Sequence, residues 1–284
     1  MATQFTQARI IASFTFCISG LLPASASHAK PLPLWEIGAG LAAVNLPDYR
    51  GSDEADTYLL PIPYVVYRGE FIKADRNGVR STLFENDRLE ASLSINGTPP
   101  VKSRSNTARR GMADLKPTFE VGPTLNVHLW RSPSEKMALD FRAPVRTSIT
   151  AQSSPKQIGW LFSPNLNLDL RDVGRAPGWN MGLVAGALFS NRAYNAHFYS
   201  VAPSEATATR PAYSASGGYA GAQITLTISR RFPHYWIGGF VRGDTVAGAV
   251  FDDSPLVRKR GAVSAGVALI RIFSESSTMV DFPE

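Results

Sequence analysis

The chain is almost free of cysteine, since Cys17 is the only one among its 284 residues. Cys17 lies in a segment that we expect to be removed on export, so the mature chain is expected to have none. A protein without cysteine has no disulfide, no thiolate nucleophile and no thiolate metal ligand. The sequence therefore excludes disulfide-stapled secreted domains and cysteine-dependent enzymes.

Long apolar runs are also missing. A membrane-spanning helix needs about 20 predominantly apolar residues, and beyond residue 29 no uninterrupted apolar run approaches that length. The mean hydropathy is only −0.08. These two features exclude a membrane protein built from a bundle of helices.

Histidine is scarce, and the motifs of catalysis and metal binding are absent. Beyond residue 29 the chain has His128, His197 and His234, each in a different predicted element. Neither Gly-x-Ser-x-Gly nor His-x-x-x-His occurs, so no nucleophile with its base and no metal site is indicated. The sequence predicts a protein that is not an enzyme and has no cofactor.

The first 29 residues have the layout of a signal peptide. Arg9 precedes an apolar stretch from Ile10 to Leu22, and Ser27 and Ala29 place small side chains at positions −3 and −1 of a cleavage site. We expect cleavage after Ala29 and export from the cytoplasm. The chain has no block of Lys and Arg of the nucleic-acid-binding type, so nucleic acid is not a predicted partner. Its net charge of +6 suits a surface that faces anionic lipid headgroups.

The strongest positive signal is a strict alternation of apolar and polar residues over residues 89–96, 118–130, 136–146 and 160–171. Side chains of a strand alternate between its two faces, so this period of two indicates a sheet with one apolar and one polar side. Soluble strands average about five or six residues, whereas a membrane-crossing strand needs about nine to eleven. The polar side carries charges suited to a wet lumen, namely Glu120, Asp140, Arg142, Arg146, Asp169 and Arg171.

The pattern predicts an all-β fold, a transmembrane antiparallel up-and-down β-barrel of about 12 strands over residues 30–273, with a short tail at 274–284. Long and short connections alternate along the chain, and barrels of this kind have short turns in the periplasm and long loops outside. Both termini are then expected to be periplasmic. One strand resists assignment, because Tyr58 to Tyr67 is apolar on both faces. The strands are expected at 34–45, 57–67, 70–76, 79–85, 88–97, 116–130, 135–149, 157–171, 177–190, 215–230, 234–247 and 260–273.

The N-terminal third of this predicted barrel resembles the MipA/OmpV family, the MltA-interacting proteins of Gram-negative outer membranes. The resemblance rests on WEIGAG at 35–40, PIPY at 61–64, YRGEF at 67–71 and FEVGP at 119–123, and above all on a loop motif. That motif is Asp48-Tyr49-Arg50-Gly51-Ser52-Asp53. The sequence departs from the usual last strand of such barrels, because Arg271 stands where an apolar residue is expected before Phe273.

The resemblance implies a location in the outer membrane and a scaffold for murein-remodelling enzymes, which brings a lytic transglycosylase near a murein synthase. The residues alone leave a pore for ions or small solutes, with an anion preference from the luminal arginines, as the alternative. The luminal charges either set selectivity or form ion pairs that fill the interior. The motif at 48–53 is either a recognition element or a tightly folded loop. The basic loop 102–116 either binds lipopolysaccharide phosphates or is a solvated loop.

Overall fold

The computed structural model describes residues 31–68, 72–75, 78–81, 84–85, 88–134, 136–174 and 178–281. The predicted signal peptide at 1–29 lies outside these residues, as do Gly69, Glu70 and Phe71 of the family resemblance. Almost all regular structure is antiparallel β-sheet. The strands are β1 (Pro31–Pro33), β2 (Trp35–Pro47), β3 (Ala55–Arg68), β4 (Ile72–Asp75), β5 (Gly78–Ser81), β6 (Phe84–Glu85), β7 (Leu89–Thr98), β8 (Thr118–Arg131), β9 (Met137–Thr150), β10 (Gln157–Phe162), β11 (Asn165–Leu170), β12 (Trp179–Ser190), β13 (Gly218–Arg231), β14 (Tyr235–Thr245), β15 (Gly261–Glu275) and β16 (Met279–Asp281).

The one α-helix of the described residues is α1 (Arg192–Tyr199), in the connection between β12 and β13. It begins after Asn191, whose side chain accepts a hydrogen bond from the backbone N–H of Tyr194 at 3.0 Å. This bond satisfies one of the free N–H groups of the first turn. Within the described part of the chain, no helix has both the length and the hydropathy of a membrane span.

The main sheet is an up-and-down barrel, as the alternation predicts. From β7 to β15 the strands pair in sequence order, with β10 and β11 sharing one place in the wall, and β15 returns to pair with β2. The two ends of this ladder meet, because Cα atoms of β5 lie within 8 Å of those of β7. The predicted strand 157–171 is interrupted at Ser163 and Pro164, and both of its halves, β10 and β11, pair with β9 and β12.

The two ends of the barrel differ in the connections that they carry. The links β8–β9, β11–β12 and β13–β14 lie at one end, here called the turn end. The segments 48–54, 99–117, 191–217 and 246–260 lie at the other, the loop end, and the last three are longer than any of those links. Short turns mark the periplasmic side of an outer-membrane barrel. β1 and β16 pair with each other at the turn end, so both termini are periplasmic, as predicted.

The facing of the strands also follows the prediction. Large apolar side chains such as Leu125, Leu166 and Leu226 are exposed on the outside, while Glu120, Asn126 and Thr227 are buried inside. Turning apolar side chains to lipid and polar ones inward is the rule for membrane-spanning barrels. Leu161, which breaks the alternation of its strand, is buried inside.

The last long strand shows how the departure at Arg271 is accommodated. Arg271 lies on the outer face with Leu269 and Phe273. It pairs with Tyr235, the first residue of β14 after the turn from β13, so it lies near the turn end of the barrel. A long cationic side chain near this end can reach the headgroup region while its stem stays apolar. β15 continues to Glu275, past the predicted strand end at 273, and β16 follows it.

Candidate functional site

Ion pairs in the structure include five of the six predicted luminal charges, namely Glu120, Asp140, Arg142, Arg146 and Asp169. In the loop half of the barrel, the Nε of Arg146 on β9 lies 3.2 Å from the Oε2 of Glu120 on β8. The same oxygen accepts a bond of 3.3 Å from Asn96, and the other carboxylate oxygen accepts one of 3.0 Å from the Tyr194 hydroxyl of α1. Only 1% of the surface of Glu120 is exposed. This carboxylate therefore links three strands of the wall to the loop end.

A second group of charges lies in the turn half. The guanidinium of Arg131 is 2.6 Å from the carboxylate of Asp140, and His128 is 2.9 Å from the same oxygen. Arg142 stands between two acids, 3.9 Å from both Asp140 and Asp169. Three strands, β8, β9 and β11, thus share one charge network on a single side of the lumen.

The remaining predicted luminal charge is Arg171, which follows directly after β11. Its backbone N–H donates to the carbonyl of Lys136 at 2.8 Å, so it lies at the turn end of the barrel. A third charged group joins a loop to a strand, and the part that Arg50 plays in it was not expected from sequence. Arg50 and Arg242 both contact Asp244, at 3.1 and 2.7 Å.

Of the two alternatives left open by the sequence, the geometry at the level of these strands favours ion pairs that fill the interior over a wet lumen. Glu120, Ser148, Asn167, Ser229 and Ser264 have almost no exposed surface. Barrels of modest strand number are commonly filled by their own side chains. The polar side chains of the lumen therefore lie against each other at these positions rather than against bulk water.

The opposite side of the lumen is apolar, which sequence reasoning missed. The inner faces of β2, β3, β14 and β15 pack into one cluster of buried side chains. The sequence did hold one sign of this cluster, because both faces of β3 are apolar. Periodicity alone, however, does not show that the inner face of β3 packs against other apolar side chains in the lumen. The cluster consists of Ala42, Val44, Tyr64, Val66, Trp236, Ala268, Ile270 and Ile272.

The long connections fold together into a cap over the loop end. Its apolar centre takes Val101, Phe198, Phe251 and Leu256 from three loops, together with Leu188 from the top of β12. The ring of Tyr199 stacks on that of Phe251, with centroids 3.7 Å apart. Burial of several large apolar side chains stabilises such a layer, by about 1.5–3 kcal/mol for each fully buried side chain. The cap is a packed hydrophobic core, which no spacing in these loops indicated.

The loop motif at 48–53 is built into this cap. The Tyr49 ring is buried against Tyr199, and its hydroxyl donates to the Leu256 carbonyl at 2.8 Å. Gly51 has φ +93°, and a Cβ there would lie 3.3 Å from Val257. Its carbonyl accepts a bond of 2.7 Å from the Arg258 N–H. The geometry at Gly51 requires a residue without a side chain.

The polar members of the motif hold a second loop. The amide of Asn106 donates to Asp48 at 2.7 Å and to Ser52 at 3.1 Å. Arg50 donates to the carbonyls of Ala220, Ala222 and Thr245 in addition to its contact with Asp244. Asp53, in contrast, is exposed to solvent. The structure thus uses the motif chiefly to join loops and strands.

Burial in the cap changes the ionisation of several groups. Desolvation raises the pKa of Asp48 although the bond from Asn106 opposes the shift. Desolvation likewise raises the pKa of the Tyr49 hydroxyl and lowers the pKa of His197, which also lies near the Arg109 guanidinium. These shifts favour neutral Tyr49 and neutral His197 at ordinary pH.

Groups of catalytic or metal-binding type are not assembled in the described residues. There, none of His128, His197 and His234 is hydrogen bonded to a serine or threonine hydroxyl. No three or more His, Cys, Asp or Glu side chains of the described ranges come together as metal ligands. The described residues instead form charge pairs and apolar clusters.

Comparisons with solved structures return outer-membrane proteins. One is titled a bacterial polysaccharide outer membrane secretin, with TM-score 0.43, 10% identity, and coverage of 87% of this chain and 100% of that one. Another is an outer membrane channel from Pseudomonas putida F1, with TM-score 0.42, 10% identity, and coverage of 88% and 100%. The outer membrane protein OprG from Pseudomonas aeruginosa has TM-score 0.22, 10% identity, and coverage of 86% and 95%. No curated protein sequence matches the chain.

The family comparison is more specific. The family described as "MltA-interacting protein MipA" matches residues 39–273, from the first barrel strand nearly to the end of the last. The match covers most of the chain and includes both the loop motif and the luminal charges. This barrel therefore belongs to the MipA family of MltA-interacting proteins.

Proposed function

We propose that this outer-membrane barrel is a scaffold for murein-remodelling enzymes and not an open pore. The supporting observation is the cap, which packs Phe198, Phe251 and Leu256 over the loop end. Below it, luminal arginines are engaged with carboxylates, as in the pair of Arg146 and Glu120. An ion-selective pore needs charged groups along a passage that ions can enter. The proposal assigns no catalytic step to the chain.

The proposed partners are a lytic transglycosylase and a murein synthase in the periplasm, in keeping with the family's name. Such enzymes would meet the turn end, where Lys136 and Asp172 are both about half exposed. The other partners are the lipids of the outer membrane. Exposed Lys102, Arg104 and Arg110 at the loop end suit charge-assisted contacts with lipopolysaccharide phosphates.

A binding experiment tests the scaffold. The barrel in detergent micelles is immobilised, and a purified lytic transglycosylase and murein synthase are passed over it separately and together. We expect both to bind, and Lys136→Glu to weaken binding about tenfold or more. Lys102→Glu, at the opposite end, is the matched control and should leave binding unchanged. Absence of binding to the wild type, or an equal loss in the two variants, contradicts the proposal.

Conductance separates the scaffold from the pore. In a planar lipid bilayer the wild type should show no stable current steps, because the cap packs over the loop end and the luminal Arg146 is paired with Glu120. Steady steps with an anion preference would support the pore instead. The export signal also forms part of the proposal, so sequencing of the protein purified from outer membranes should begin at Lys30.

A further inference from the structure

The cap has a cavity between two of its loops. The cavity has a volume of about 660 Å³ and is lined by residues of the segments 109–115 and 196–214. Both segments are described throughout by the structure. The volume lies within the range of about 300–1,000 Å³ that is usual for small-molecule sites. The cavity therefore has room for a ligand of a few amino-acid residues in size.

Hydrogen bonds fix the two loops that form the cavity. In the first loop, an antiparallel bridge joins Val101 to Leu115. In the second, a bridge of the same kind joins Val201 to Tyr213. Arg210 of the second loop then donates two hydrogen bonds of 2.9 Å to backbone carbonyls of the first. The cavity is thus formed before a ligand binds, which lowers the cost of ordering the loops on binding.

The wall of the cavity includes a buried cation, Arg109, which is only 4% exposed. Its guanidinium donates to the Ser103 hydroxyl at 3.4 Å and to the carbonyls of Phe198 and Ala113 at 3.0 and 3.3 Å. Two further N–H groups, one on each Nη, have no acceptor among the described residues. No carboxylate of the described ranges forms an ion pair with Arg109. A buried charge that is bonded only to neutral groups is costly, and an anionic group of a ligand would offset this cost.

Two carboxylates, those of Asp114 and Glu205, line the same cavity. Each accepts a backbone N–H through one oxygen, at 2.8 and 3.3 Å, and the other oxygen of each accepts no hydrogen bond from the described residues. Burial lowers the pKa of Arg109, and the nearby charges of Glu205 and Asp114 oppose that shift. A dianion is disfavoured by these two acids, and a simple cation is disfavoured by Arg109. A ligand that carries both charges is complementary to the lining.

We propose that this cavity binds a short peptide whose two termini are free, and hence a zwitterion. The peptide carboxylate accepts hydrogen bonds from the two available N–H groups of Arg109, and the peptide ammonium donates to Asp114 and Glu205. Small side chains of the peptide contact Met112 and Val201, which belong to the apolar part of the lining. The site lies at the loop end, opposite the proposed contacts with periplasmic enzymes. It stands independently of the scaffold role.

Three forms of one peptide test the two charges. Trialanine, N-acetyltrialanine and trialanine amide are titrated separately into the barrel in a non-ionic detergent, and binding is measured by calorimetry. Acetylation removes the ammonium, and amidation removes the carboxylate. We expect trialanine to bind and each blocked form to bind about tenfold more weakly or less, because each lacks one charge-assisted contact. No binding of trialanine, or equal affinity for trialanine and either blocked form, overturns the proposal.

Variants assign each charge to its residues. Arg109→Gln should weaken the binding of trialanine about tenfold or more and leave the binding of trialanine amide unchanged, because the amide has no carboxylate to lose. Asp114→Asn/Glu205→Gln should weaken the binding of trialanine and spare N-acetyltrialanine, and it decides the test if Arg109→Gln disturbs the cap. Arg258→Gln, at an exposed position of another cap loop, is the matched control and should bind all three peptides as the wild type does. Unchanged trialanine affinity in either folded site variant, or an equal loss in the control, overturns the proposal.

Discussion

Replacing Arg146 by glutamine should destabilise the barrel by about 3–5 kcal/mol, because the change leaves the buried Glu120 carboxylate without its cation. Arg146 donates to Ser94 and Ser163 as well as to Glu120, so its loss also removes two bonds between strands. The free energy of unfolding is measured by urea titration of the protein in lipid vesicles. Glu120→Gln/Arg146→Gln should recover part of the loss, since it removes the unpaired charge.

The exposed pair of Lys136 and Asp172 is the control. Their charged atoms are 3.7 Å apart, and the two side chains are 57% and 46% exposed. Exposed pairs contribute about 0–1 kcal/mol, so Lys136→Gln should have a small effect. If Arg146→Gln costs no more than Lys136→Gln, the lumen at Arg146 is hydrated and the filled interior is refuted.

Three further changes test the facing, the cap and the topology. Leu125→Arg, at an outward position that is 46% exposed, should reduce the free energy of unfolding by about 2–4 kcal/mol if it lies near the bilayer midplane; a variant as stable as the wild type in the urea assay would reverse the facing. Gly51→Ala should speed proteolysis of the loops, because of its positive φ, while the barrel keeps its heat-modifiable mobility on gels; unchanged proteolysis would contradict the role of Gly51. A reporter peptide inserted after Gly111, where a Cβ would meet nothing within 4 Å, should bind antibody on intact cells; binding only after permeabilisation would invert the topology.

The barrel could be predicted from sequence because its strands face two very different media. A strand between lipid and a polar interior must alternate, so Leu125, Asn126 and Val127 reveal their faces by residue type alone. The sequence indicated which charged residues face the lumen, but it did not indicate which of them form ion pairs with each other. Arg146 and Glu120 come together through the register of β8 on β9, in which Glu120 lies opposite Ser148 and not opposite Arg146.

The cap could not be predicted, for a physical reason. Its core takes between one and four apolar side chains from each loop, such as Phe198 and Leu256, and no period relates them. Irregular segments give no repeating pattern, because the direction of each side chain depends on the local backbone conformation and not on a fixed period. Arg50 and Asp244 could not be paired either, since their contact joins residues 194 positions apart.

The loop motif supports a structural interpretation of the family resemblance. Asp48 and Ser52 accept from Asn106, Tyr49 is buried in the cap, and Gly51 occupies a backbone conformation that disfavours side chains. Each of these residue types is thereby explained by what holds the loops together, and only Asp53 has its side chain in solvent. A partner that approached this loop would contact only one exposed motif side chain, the carboxylate of Asp53, which offers few specific contacts. The motif therefore indicates a capped barrel, and the proposed contacts with periplasmic enzymes are assigned to the opposite, turn end.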